Sequence, residues 1–204
     1  SQEARHKFRM EHGIAESDFV VVYTGKLTSI KGGKMLAEAF NKNFDVQRKI
    51  VLVVVGTPTN DKYGQEVEAM LKNSPNRVLM FPTQPYMELA QFYQAADLSV
   101  FPTQCSMSFY DAQACGLPVL SEDNNVNVDR CSHENGFNFR RGDIDDFRAK
   151  IIEAAELPEE TMQQMRKNAC AFINSEYDYR SIAQQYTNYL TKAVNGFQRR
   201  EDKT

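Results

Sequence analysis

A doubly wound α/β sheet is the fold class this sequence predicts, and three observations predict it. Ile50 to Val55 (IVLVVV) is an unbroken aliphatic and β-branched run, as expected of an interior parallel strand buried on both faces rather than a half-wet antiparallel one. Further apolar runs alternate with segments of helical period at roughly thirty-residue spacing, the rhythm of successive βα units. The runs stop abruptly at glycine or proline, as at Gly25, Gly56 and Pro102, where loops leave the carboxyl edge of such a sheet.

In chain order, residues 4–13 read as a short amphipathic helix ended by Gly13, and Asp18 to Gly25 (DFVVVYTG) as a strand stopped by glycine. A helix is expected from about Gly33 to Asn43, with Met35, Leu36, Ala39 and Phe40 on one face. The strand Ile50 to Gly56 leads through a Thr/Pro/Asn loop into a helix from Lys62 to Asn73. Val78 to Phe81 is the third strand and Tyr86 to Ala95 the third helix. Leu98 to Pro102 is a fourth strand, followed by a small polar loop, a helix closing at Cys115-Gly116, and a strand that starts at Pro118-Val119. Gly136 to Phe139 is a short last strand, and the chain from about Asp143 is largely helical.

The length of 204 residues suits one well-buried domain. We expect a lead-in helix over residues 1–17, an α/β core over 18–175 and a C-terminal helix over 176–204. The formal net charge of −3 provides no global basic field for nucleic acid or anionic lipid. The longest apolar run, the six residues Ile50 to Val55, is far short of a membrane span. The start of the chain, SQEARHKFRMEHG, has no signal-peptide apolar region and no initiator Met, so a fragment or processed chain is expected. Cys105, Cys115, Cys131 and Cys170 show neither paired nor ligand-like spacing, which argues against a disulfide framework or structural zinc and for the cytosol.

The stretch Pro102 to Val119 (PTQCSMSFYDAQACGLPV) carries the strongest functional signal. Ligands of open parallel sheets sit where such loops emerge from the carboxyl ends of strands. Ser106 and Ser108 fall at a helix N-terminus, where free amides favour an anion. A second loop, Thr24 to Gly33 (TGKLTSIKGG), offers Gly25 for close backbone approach, Gly32-Gly33 to open a helix, and Lys26 and Lys31 to neutralise a diphosphate. On composition alone the better reading of both lysines is as solvated surface residues, and the loop is no more than a possible anion site. Neither a Walker loop nor GxGxxG is present.

Taken together, GKLTSIKGG, IVLVVVG, RVLMFPTQPYMELAQFYQAADLSVFP and DAQACGLPV resemble, in order and spacing, the C-terminal, donor-binding half of GT-B glycosyltransferases. The nearest match is the retaining nucleotide-sugar transferases of glycosyltransferase family 4, whose patterns are G-[RK]-L-x-x-x-K-G, L-x-x-x-Y-x-x-A-D and E-A-x-A-x-G-x-P-V. The resemblance covers about residues 5 to 195. It implies a Rossmann-like doubly wound sheet with C-terminal helices, a nucleotide-diphosphate sugar as donor, and no cofactor or catalytic metal. Lys26 and Lys31 would then contact the donor diphosphate. Ser106, Met107 and Ser108 would offer amides to the phosphates and sugar, and Asp111 would hold the ribose hydroxyls. Gly25 and Gly32 would admit the donor to the backbone, Cys105 would touch it or merely pass beside it, and Thr83 and Gln84 would line the base pocket. The acceptor would belong to an N-terminal domain that this chain lacks, as would any membrane association.

Two departures from that family stand out. Its acidic pair is separated by eight positions, and the residue eight before Asp111 is Thr103, in a loop about three residues short. The second acid is Asp rather than Glu. Asp111 has a structural alternative, since Ser108-x-x-Asp111 is a variant capping box. Asp143-Ile144-Asp145 is better read as a helix cap than as a metal motif. The apolar stripe Tyr179, Ile182, Ala183, Tyr186, Tyr189, Leu190 and Ala193 is core packing or a docking face for another domain. An epimerase or phosphorylase of the same fold, and a non-catalytic binding module, are the rival functions. A phosphoacceptor receiver domain is disfavoured, because Gly25-Lys26-Leu27 and Phe81-Pro82-Thr83 stand where it needs acids.

Overall fold

The computed structural model describes residues 2–103 and 106–201, with side chains through Asn195. Six parallel strands form one sheet: β1 (Phe19–Thr24), β2 (Ile50–Val55), β3 (Arg77–Phe81), β4 (Leu98–Phe101), β5 (Val119–Glu122) and β6 (Gly136–Phe139). Their order is β3-β2-β1-β4-β5-β6, the doubly wound Rossmann arrangement, which reverses direction between β1 and β4. The expected fold class is therefore the observed one.

The valine-rich runs are continuous because both faces of the sheet are covered. Phe19, Val21, Tyr23, Leu52 and Val54 pack on one side against α2 (Gly33–Ala39), α3 (Lys62–Lys72) and α7 (Ile144–Glu156). Val20, Val22, Val51, Val53 and Val55 pack on the other against α1 (Gln2–Glu11), α4 (Leu89–Ala95) and α5 (Ser108–Ala114). Alternate residues thus point to opposite but equally apolar layers.

The two halves of the sheet meet at a short seam. β1 pairs with β2 along its whole length, from Phe19↔Ile50 to Thr24↔Val55, but with β4 only at Val21↔Leu98 and Val22↔Ser99. At the amino end the seam is locked by Asp97. Its amide donates to Val20 O (2.8 Å) and its carboxylate accepts from Val20 N (2.8 Å). Three guanidiniums converge on the same carboxylate: Arg5 at 2.8 Å, Arg9 at 2.7 Å and Arg166 at 3.0 Å. Arg9 is fully buried and also donates to the carbonyls of Ala95, Ala15, Glu16 and Asp18. At the carboxyl end nothing pairs Tyr23 or Thr24 with β4, and the seam opens.

Several boundaries differ from the expected ones. The helix expected to reach Asn43 stops at Ala39, because Phe40 leaves helical geometry and Arg148 takes up the carbonyls of Ala39, Lys42 and Asn43. The single helix expected over Tyr86 to Ala95 is a 3-10 turn, Tyr86–Glu88, followed by α4. α6 (Asn125–Arg130) is an addition. Its Asn124 cap accepts from the amides of Val126 and Asn127, at 3.1 and 3.0 Å, but its polar sequence carries no apolar period. Asp143 caps α7 as expected, accepting from Asp146 N at 2.9 Å. α8 (Glu159–Glu176) and α9 (Tyr179–Glu201) complete the described residues. Core packing does not account for the aromatic stripe on α9, since Tyr179, Tyr186, Tyr189 and Leu190 are all exposed. No described helix is long and apolar enough to cross a membrane.

Burial alone would raise the Asp97 pKa, but Arg5, Arg9 and Arg166 outweigh it and hold the carboxyl below its ordinary value. Asp97→Asn leaves three guanidiniums without a counter-charge, and a loss of about 3–5 kcal/mol in unfolding free energy is expected by urea denaturation. Because the folded pKa is depressed, the contribution of Asp97 is complete above about pH 4 and lost as pH falls through the lower folded value. The urea midpoint of the parent chain should therefore fall more steeply below that pH than that of Asp97→Asn. Equal acid slopes would remove Asp97 from this role.

Candidate functional site

The open end of the β1–β4 seam lies between two loops, and each is shaped by its own residues. Loop 25–32 follows β1. The buried Tyr23 hydroxyl donates to Lys26 O at 2.9 Å. Burial, with Tyr63 adding to it, raises the Tyr23 pKa, so the group stays protonated as a donor. Leu27 is fully buried and forms a parallel bridge with Pro58. The turn closes on Thr28, whose carbonyl accepts from Lys31 N (3.2 Å) and Gly33 N (3.0 Å).

Two glycines make this geometry possible. Gly32 has φ +71°, and a Cβ there would lie 2.8 Å from Pro102 Cβ and 2.9 Å from Thr103 Cγ2. The loops after β1 and β4 are thus in direct contact, and the Thr103 hydroxyl fastens them by donating to Ile30 O at 2.5 Å. Gly25 has φ +144°, and a Cβ there would lie 3.6 Å from Lys31 Cδ. The Lys31 stem therefore runs back over Gly25 toward the root of Lys26. Neither lysine has a carboxylate within ion-pair distance among the described residues, whereas the next one along, Lys34, is paired with Glu66 at 2.7 Å.

Pro102 and Thr103, which follow β4, form the other wall. Phe109 N donates to Ser106 O (3.1 Å) and Tyr110 N to Met107 O (3.0 Å), which turns the chain into α5. Met107 stands at the cap position with no side-chain cap; the amides of Phe109, Tyr110 and Asp111 are taken up by the turn, and those of Met107 and Ser108 have no partner among the described residues. Met107 itself is exposed. Cys105 lies outside the described residues. Beneath the two walls, the Thr24 and Tyr93 hydroxyls are 2.9 Å apart, which joins the end of β1 to α4. Burial chiefly raises the Tyr93 pKa, keeping the bridge neutral.

Asp111 does not cap α5. Its Oδ1 accepts from the Tyr86 hydroxyl at 2.8 Å, so the capping-box alternative is replaced by a contact to the turn before α4. That bond, and the Asp111 charge behind it, raise the Tyr86 pKa. Tyr86 and Asp111 line a cavity of 240 Å³ together with Met87, Ala90, Tyr93 and Cys115. Lys26 and Lys31 do not line it. Thr83 and Gln84 do not line it either. Thr83 sits 3.2 Å from Thr57 across their hydroxyls, and the Gln84 amide folds onto Pro82 O at 2.9 Å. The structure thus brings the lysine loop against Pro102 and Thr103, sets Asp111 in a separate cavity with Tyr86, and leaves Thr83 and Gln84 at the end of β3.

Sequence reasoning gave no role to Tyr86, Tyr93 or Asp97. The signal was present for two of them, because Tyr93-x-x-Ala96-Asp97 is the Y-x-x-A-D element of the quoted pattern.

The strand order and the joined loops at its switch point are those of a doubly wound α/β domain with its ligand crevice at the carboxyl edge. The chain belongs to the glycosyl transferases group 1 family, whose model matches residues 4–171. A D-inositol 3-phosphate glycosyltransferase of Segniliparus rotundus is 33% identical over 120 residues, covering 55% of this chain and 26% of that protein. The lipopolysaccharide 1,2-N-acetylglucosaminetransferase of Salmonella typhimurium is 26% identical over 189 residues, covering 87% of this chain and 49% of that protein. The chain therefore spans half or less of these relatives. Among solved structures, Anabaena Alr3699/HepE in complex with UDP matches with a TM-score of 0.80 at 23% identity, over 94% of this chain and 53% of that one. The catalytic domain of Starch Synthase IV from Arabidopsis thaliana, bound to ADP and acarbose, matches with a TM-score of 0.75 at 18% identity, over 95% of this chain and 42% of that one. The fold is the Rossmann-like one of GT-B glycosyltransferases.

Gly32→Ala forces a side chain into a left-handed conformation and into Pro102 and Thr103. It is expected to lower unfolding free energy by at least about 1–2 kcal/mol, measured by urea denaturation. A neutral substitution would mean that the two loops are not in contact.

Proposed function

We propose that this chain is the donor-binding domain of a glycosyltransferase that moves a sugar from a nucleotide-diphosphate sugar to an acceptor with retention of configuration. The observation that carries the reading is a pair of lysines without carboxylate partners among the described residues, Lys26 and Lys31, on a loop fastened to Pro102 and Thr103 after β4, at the switch point of the sheet. Membership of the family supports it, as does the UDP held by the Anabaena relative of the same fold.

In this reading the donor diphosphate lies between Lys26, Lys31 and the amides of Met107 and Ser108. Negative charge grows on the β-phosphate as the glycosidic bond breaks. Fixed cations and amides that meet it most strongly at that moment lower the barrier. Gly25 and Gly32 let the phosphates approach the backbone. Asp111 accepts from the ribose hydroxyls, held in place by Tyr86, while Thr83 and Gln84 border the base. The donor itself carries the transferred group, so the proposal calls for no cofactor and no metal.

The acceptor and the rest of the cleft belong to a preceding domain, consistent with the share of the relatives that this chain spans. The exposed stripe Tyr186, Tyr189 and Leu190 on α9 is the face that would dock on it. The same reading has the protein working in the cytosol, with any contact to a membrane made through that other domain.

One observation favours a second reading, a nucleotide-binding module without transfer. The position of the family's first acid holds Thr103, whose hydroxyl is committed to Ile30 O. The two readings part on a single variant. In the full-length protein, Lys31→Ala should lower kcat for sugar transfer by about 10²–10³, the usual cost of removing one charged donor to a developing oxyanion. Steady-state kinetics with a labelled donor measure it. An unchanged kcat would take Lys31 out of the mechanism, and donor binding without any turnover by the parent protein would favour the module.

A further inference from the structure

Away from the crevice, charge is least balanced around Asp97. One carboxylate serves three guanidiniums, and none of the three has a second carboxylate partner among the described residues. Arg9 is sealed inside and spends its donors on backbone carbonyls. Arg5 and Arg166 are only partly covered; Arg5 bonds Ala95 O, Ala96 O and Asp97, and the two line both a cavity of 470 Å³ shared with Asp97, Glu16 and Glu159 and one of 360 Å³ beside Cys115 and Gly116. Lys167 lines the latter too and has no ion-pair partner among the described residues. Gln94, Cys115 and Cys170 contribute to the remaining wall, and no carboxylate does. Arg166 bonds Asp97 and Ala96 O through Nη2 alone, which leaves Nε and Nη1 without a protein partner among the described residues. Burial lowers the Arg166 pKa and Arg5 adds to the effect, with Asp97 and Glu159 opposing.

We propose that this cavity is a second anion site, separate from the crevice, which binds a phosphomonoester between Arg166, Arg5 and Lys167. The chemistry follows from the groups. The free Nε and Nη1 of Arg166 lie on different edges of its guanidinium, so each is a single charged donor, and the ammonium of Lys167, next to it on α8, adds a third. A dianion near neutral pH offsets the surplus of cations left by a single carboxylate. The volume is in the range of small-molecule sites and larger than a phosphate requires, leaving room for an organic group. Cys115 lies on the wall shared with the cavity that holds Asp111, so an occupant bears on α5 from behind.

The test is titration calorimetry and thermal unfolding of this chain with inorganic phosphate and with glycerol 3-phosphate, at ionic strength held constant with sodium chloride. Both anions are expected to bind saturably and raise Tm, in the parent chain and equally in a Lys26→Ala/Lys31→Ala double variant. Lys167→Glu and Gln94→Glu, each placing a carboxylate in the cavity without touching Asp97, should weaken binding by about tenfold or more, the effect of one charge-assisted hydrogen bond. Tighter binding of glycerol 3-phosphate would assign the site to a phosphorylated metabolite, and equal binding to free phosphate. Binding that survives Lys167→Glu and Gln94→Glu but vanishes in the double lysine variant would overturn the proposal and give the anion to the crevice. The absence of any saturable response to either probe would overturn it as well.

Discussion

The seam between β1 and β4 is the constraint on which the rest of this structure depends. A doubly wound sheet changes direction there, and the strands on its two sides are connected outward rather than to each other. Two register pairs span it. The amino end is held shut by Asp97, which ties β1 to β4 through both its backbone and its side chain and gathers helices α1 and α8 through their arginines. The carboxyl end is left without cross-strand bonds. A seam fixed at one end and free at the other makes a crevice whose width is set by the loops above it.

Those loops are fitted to each other rather than merely adjacent. Gly32 approaches Pro102 and Thr103 more closely than any residue with a Cβ allows, and the Thr103 hydroxyl bonds Ile30 O. Below them the Thr24–Tyr93 hydroxyl contact sets α4 relative to the end of β1. The lysines of one loop, Lys26 exposed and Lys31 half-buried, are thereby held at a fixed relation to Pro102 and Thr103 of the other. Preorganisation of this kind is what an electrostatic site for a diphosphate requires, and the proposed donor site rests on it.

The sheet was legible in the sequence because burial on both faces leaves continuous Val/Ile runs that helices do not produce at that length. The glycine- and proline-terminated strand ends located the loops for the same reason. What stayed hidden was long-range or polar. Arg5 and Asp97 are 92 positions apart, and Tyr86 and Asp111 are 25 apart, so no local spacing could pair them. Asp111 read equally well as a cap or as a ligand until the Tyr86 contact set it facing a cavity. α6 left no apolar period to read, since its helix is held by the Asn124 cap and by Asn127 donating to Glu122 O at 2.7 Å. The break before α4 follows from Pro85, which starts the chain there as a 3-10 turn.

The seam, its glycines and its lysines converge on one claim, that Lys26 and Lys31 read a diphosphate together. Calorimetry of the parent chain and of Lys26→Ala/Lys31→Ala with UDP, GDP and ADP, each beside its own monophosphate, tests it most directly. For whichever base binds, the diphosphate should bind the parent chain more tightly than the monophosphate, and the double variant should lose that preference. A double variant that still prefers the diphosphate to the same degree would contradict the account.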